Sequence, residues 1–127
     1  MKRRLIIFSG FNQRAVVAML RTVSKLNVPK AIIAASHTDT IFATIYAKDV
    51  CAVRTSLELK IDLFIPVFEK LAKLFKGEEL IVAPSTETLI RLFLKNKTVL
   101  KKYSIILPVV SEELYLRISD KLNFNML

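Results

Sequence analysis

Three short stretches of this chain combine residue types that could handle a ligand. Ser9-Gly10-Phe11-Asn12-Gln13 lies between an apolar run and an amphipathic one. It reads as a strand-to-helix turn whose backbone N–H groups, aided by the helix dipole, could face an anion. Gly10, Phe11 and Asn12 are the candidate substrate contacts there, although a tight turn of this kind wants a glycine with or without a ligand. The second stretch, Ser36-His37-Thr38-Asp39-Thr40, puts an ionisable pair where an acidic residue can hold a ribose hydroxyl in nucleotide-binding sheets. Asp39 can equally cap a helix. His37 is the sole histidine, with no cysteine beside it, so a metal would lack ligands and a solvated loop histidine is the plainer reading. The third stretch, Pro84-Ser85-Thr86-Glu87, opens a helix behind another apolar run. Ser85 can cap that helix and Glu87 can complement its dipole; alternatively Glu87, with Ser85 and Thr86 beside it, binds a cationic or hydroxylic substrate group.

Other chemistry is argued against by what is missing. The chain has no GxGxxG fingerprint, Gly-rich P-loop, GxSxG elbow, HExxH or CxxC, which speaks against a self-sufficient hydrolase, NTPase or zinc enzyme. Cys51 sits inside an apolar run and reads as an inert core residue. As the single cysteine it cannot form an internal disulfide, which fits a reducing cytoplasm.

The elements that must position these loops are legible from apolar spacing. Leu5–Phe8, Ala31–Ala35, Leu80–Ala83 and Ile105–Leu107 are short aliphatic runs bounded by turn residues, as expected of strands covered on both faces, and Cys51–Val53 is a weaker fifth. Val16, Met19, Leu20, Val23 and Leu26 predict a helix from Gln13 to about Leu26, ended by Asn27 and Pro29. Phe64, Val67, Phe68, Leu71, Leu74 and Phe75 predict another, with Asp62 as N-cap, Pro66 in the first turn and Gly77 as terminator. A third helix begins near Ser85 with Leu89, Ile90 and Phe93, and runs or restarts through Val99, Leu100 and Tyr103. A fourth begins at Ser111, followed by Glu112 and Glu113. Alternation of strands and helices predicts an open, mostly parallel, Rossmann-like α/β sheet of about five strands with helices on both faces. Ligands of such sheets gather beyond the carboxyl ends of the strands, where strand order reverses.

Composition agrees with one ordered domain. The 127 residues are 53% hydrophobic, with two glycines and four prolines. No apolar run reaches the ~18 residues a spanning helix needs, and the patch after Met1-Lys2-Arg3-Arg4 is too short for a signal peptide, so no membrane partner is expected and the cytoplasm is the default location. A net charge of +9 raises nucleic acid as a partner, but the basic residues fall mostly where helices face water or end, which argues against it.

The order RLIIFSGFNQRAVVAML, KAIIAAS, ELIVAPSTETL and LPVVSEELYLRISDKLNF resembles the N-terminal pre-ATP-grasp domain of carbamoyl-phosphate synthase-like ATP-grasp proteins, over nearly the whole chain. The resemblance implies strand order 3-2-1-4-5 and a pre-ATP-grasp domain over residues 1–118. Residues 119–127 would begin the connection to a central domain. It also implies a substrate-side domain of a carboxylate-amine ligase, inactive by itself, whose central and C-terminal domains, in cis or as a separate subunit, would bind ATP and magnesium. Gly10–Asn12 and Ser85–Glu87 would line the cleft for a small-molecule substrate, and Lys121, after Asp120, would reach nucleotide phosphates. The first loop departs from the family by carrying Phe11-Asn12-Gln13 in place of a more glycine-rich turn. A free-standing Rossmann- or flavodoxin-like module that binds a nucleotide or a protein is the competing expectation, and helix faces left bare by absent domains could pair two copies into a homodimer.

Overall fold

An apolar run too short for a helix and unbroken by polar residues has to be covered on both sides, which is the situation of a strand inside a parallel sheet. The computed structural model describes residues 2–83 and 87–107 and places the runs there. β1 (Arg3–Phe8), β2 (Lys30–Ala34), β3 (Val50–Val53), β4 (Glu79–Val82) and β5 (Ile105–Ile106) form one sheet in the order β3-β2-β1-β4-β5. All four pairings are parallel. The last four residues of β1, Leu5 to Phe8, are buried on both faces. The expected open α/β architecture is the one observed.

Right-handed crossovers decide which face each helix covers. From β1 the chain steps outward through β2 to β3, and α1 (Gln13–Lys25) buries Val16, Met19, Leu20 and Val23 against Leu5, Ile7 and Ile32 on one face. It then returns past β1 to β4 and β5. This reversal puts α2 (Ile65–Leu74), α3 (Glu87–Leu94) and α4 (Lys97–Lys102) on the other face, over Ile6, Phe8 and Ile33. That second layer is built on aromatic rings. Phe64 and Phe93 meet edge to face at 5.3 Å between centroids, and both meet Phe8, at 5.8 and 5.6 Å. Phe68 adds a contact at 5.7 Å to Phe93. Such pairs favour this edge-to-face geometry because a ring's positive rim meets the negative face of its neighbour.

Three details differ from the sequence reading. Asp62 does not cap α2: it lies in a single 3-10 turn (Ile61–Leu63), and Phe64 holds the N-cap position of α2 with no side-chain cap bond, Pro66 occupying the first turn where its missing N–H matters least. Leu26 and Leu74 sit on the predicted apolar stripes yet are 54% and 51% exposed, since each closes the last turn of its helix, beyond the residues the stripe packs on. The crossover from β2 to β3 uses two 3-10 turns, Thr40–Ala43 and Ile45–Asp49, which cover the sheet with Ile41 and Tyr46. Of the two options for the third helical segment the restart is the one observed, α3 and α4 being separated at Lys95-Asn96. The helix expected from Ser111 and the boundary near 118 lie outside the described residues.

Candidate functional site

The ladders fix where the strands end and their loops begin. Ser9 N–H donates to the Ile33 carbonyl, Arg54 N–H to Ala34 and Ala83 N–H to Ile6, each at 2.8 to 2.9 Å. Beyond these bonds lies the carboxyl edge, with the Gly10 turn on the central strand β1. The order of strands reverses between β1 and β4, so this turn and the carboxyl end of β4 flank the switch point.

Asp39 organises the first two loops. Its Oδ2 accepts from Ala35 N–H at 2.8 Å, and its Oδ1 accepts from Ile41 N–H at 2.8 Å and from the Ser9 hydroxyl at 3.0 Å. Ser9 Oγ in turn accepts from Gln13 Nε2 at 2.9 Å, and Gln13 Oε1 accepts from Gly10 N–H at 2.9 Å. The hydroxyl has one proton, and the carboxylate is the stronger acceptor for it. Of the two readings of Asp39, the cap is therefore realised: it caps the Thr40–Ala43 turn and ties it to β1. The same bonds narrow the anion-facing reading of the first turn. Gly10 N–H is taken by Gln13, and Asn12 Oδ1 accepts from Ala15 N–H at 3.3 Å as the N-cap of α1.

Replacing Asp39 by alanine would strip acceptors from two backbone N–H groups and a buried hydroxyl at once. An expected loss of roughly 1–3 kcal/mol follows from leaving such groups unpaired. Urea unfolding at constant slope measures it. The Asp39→Asn variant, which keeps one oxygen, should fall between alanine and the parent.

The predicted site residues are distributed as follows. Gly10 and Asn12 are exposed at the edge, and Phe11 is half-buried with its ring packed on the aromatic layer. Glu87 is the first residue of α3, exposed, and paired with Arg91 one turn on at 2.7 Å, so its carboxylate complements the helix start as expected. His37 is exposed on its loop. Cys51 lies on β3, where burial pushes its thiol pKa up against the lowering effect of Lys70 and Arg4, which suits an unreactive role. Ser85, Thr86 and Lys121 lie outside the described residues.

One residue of the edge was missed in the sequence. Arg54, directly after β3, is only 6% exposed. Its guanidinium stands 4.6 Å from the ring centre of Phe64 and 5.5 Å from that of Phe11. Nη2 donates to the Glu58 carbonyl at 3.3 Å, and among the described residues no carboxylate forms an ion pair with it. Burial pulls its pKa below the ordinary arginine value. A basic residue one step past an apolar run was the available signal: alternation along β3 turns Ala52, and with it Arg54, toward the aromatic layer.

The fold and its edge define the class of this protein as an open, parallel α/β domain with its loops of interest at the switch point. Comparison with protein-family models, with curated proteins and with solved structures finds no match. None of the described helices is long and apolar enough to cross a membrane.

Proposed function

We propose that this chain is the substrate-side domain of an ATP-grasp carboxylate-amine ligase, acting with a central and a C-terminal ATP-grasp domain and inactive without them. The observation that carries the reading is the Gly10 turn at the end of the central strand of a β3-β2-β1-β4-β5 sheet, where open α/β domains present their ligand loops. The residue order that resembles the pre-ATP-grasp domain supports it further. In this reading Gly10, Phe11 and Asn12 form one wall of the cleft and Ser85, Thr86 and Glu87 the other, and Lys121 lies on the path to the nucleotide.

Among the described residues, no three histidine, cysteine, aspartate and glutamate side chains are grouped to hold a metal. The Asp39 carboxylate is engaged by backbone N–H groups, and the Gly10 amide by Gln13. In this reading nucleotide and metal are held by the companion domains, and this domain's share is to shape and orient the substrate.

Extending the source reading frame past Leu127, and through one gene on either side, tests the proposal. An ATP-grasp domain after Asp120-Lys121, or in the adjacent gene, is the expected result. A frame without one and a neighbourhood without one would overturn it in favour of a free-standing binding module.

A further inference from the structure

A buried guanidinium is normally held by a carboxylate, because taking a charge out of water costs several kcal/mol that an ion pair or a full set of hydrogen bonds must offset. Arg54 has neither. It is 6% exposed, and its one hydrogen bond, to the Glu58 carbonyl, is long at 3.3 Å. Its two ring contacts meet the face of the guanidinium and leave Nε and Nη1 without a partner among the described residues.

The N–H edge of the guanidinium is not sealed. Among the described residues, Asp49 Oδ2 is the buried side-chain nitrogen or oxygen without a hydrogen-bond partner, and no Arg54 nitrogen shares that condition. Nε and Nη1, which bond to no described residue, therefore reach solvent at the carboxyl edge. The surroundings are electropositive as well. Phe64, whose ring lies under the guanidinium, is the N-cap residue of α2, and α2 has neither a side-chain cap nor an acidic residue in its first turn. An uncapped helix start carries partial positive charge and would ordinarily repel a cation. The acids on the neighbouring loop offer no relief: Glu58 pairs with Lys60 at 3.2 Å, and Asp62 is exposed.

We propose that Arg54, between the rings of Phe11 and Phe64 and next to the start of α2, is an oxyanion-binding residue that takes a carboxylate or phosphate group of a small ligand at the carboxyl edge. The planar N–H fork suits the two oxygens of either group, and the flanking rings hold the fork in place before the ligand arrives. The inference goes beyond the ligase reading and does not require it, since it rests on the edge of this domain alone.

The test uses the 127-residue chain, 15N-labelled at arginine, titrated with sodium phosphate and separately with sodium acetate, each against sodium chloride at matched ionic strength. The expected result is a saturable shift of the Arg54 Nε–H resonance with phosphate, acetate or both, and none with chloride. The stronger of the two oxyanions identifies the ligand group. Arg54→Lys, which keeps the charge and loses the fork, should bind about tenfold more weakly by thermal shift, and Arg54→Met should show no oxyanion-specific stabilisation. An Arg54 resonance that moves no more with either oxyanion than with chloride, or a methionine variant stabilised as strongly as the parent, would overturn the proposal. The resonance of the parent chain decides the matter even if a variant fails to fold.

Discussion

Replacing Gly10 by alanine is expected to destabilise the domain by roughly 2–6 kcal/mol, from backbone strain and from overpacking together. Gly10 has φ +93, a conformation side chains other than glycine's adopt at a penalty. A Cβ added there would collide with the Cβ of Ala35. That methyl cannot swing away, because Ala35 is buried at the end of β2 and its own N–H is held by Asp39. Two companions separate the contributions. Gly77, at φ +82 with nothing within 4 Å of its absent Cβ, should lose about 1–2 kcal/mol from conformation alone when changed to alanine. Adding Ala35→Gly to Gly10→Ala should restore the part due to collision, so a double-mutant cycle by urea unfolding should show a favourable coupling. Additive losses would mean that the turn and β2 do not approach this closely.

The second large effect belongs to the aromatic layer. Phe93 is fully buried and meets Phe8, Phe64 and Phe68 at 5.3 to 5.7 Å, so truncation to alanine empties the centre of the layer on that face. The expected loss is about 3–5 kcal/mol. For a domain of this size that is a fall in Tm of roughly 10–20 °C, a large share of the total stability. Phe93→Leu should recover a good part of the loss, because most of the deficit is lost volume. Calorimetry on the parent and both variants checks the order. An alanine variant melting within a few degrees of the parent would show that the rings do not form one packed layer. The rings that flank Arg54 are those of Phe11 and Phe64, so oxyanion binding by the folded fraction should survive the change.

Much of the architecture was readable before the structure because its causes are local. The run Leu5–Phe8 is too short for a helix and has no polar face to give to water, so it has to be an interior strand. The stripe of Val16, Met19, Leu20 and Val23 recurs at the helical period, and a stripe of that kind needs a sheet to lie on. Gly10 was marked as a turn residue for the same local reason. The restart of the helix after Leu94 was foreseen as one of two options; Asn96, whose Nδ2 donates to the Leu92 carbonyl at 2.9 Å in the last turn of α3, makes no side-chain cap for α4.

The rest was decided by where the chain returns. Asp62 has the chemistry of an N-cap, but the backbone entering α2 from the Ile61–Leu63 turn begins the helix two residues later. Asp39 became the centre of a network because β1 and β2 are neighbours in register, bringing Ser9 within 3.0 Å of a residue thirty positions on. Ala35 sets the tolerance at Gly10 for that reason too. In one dimension Arg54 is one basic residue among twenty. It becomes a buried cation with no ion pair among the described residues only when Phe11, from the far side of β2, and Phe64, from the next crossover, close around it. The sequence by itself determined the strands, the helices and the alternation that makes them an α/β sheet, since short-range sterics and apolar period act within a few residues. The tertiary structure alone decided which side chains share the carboxyl edge, because strand order and crossover hand bring together residues that no local pattern relates.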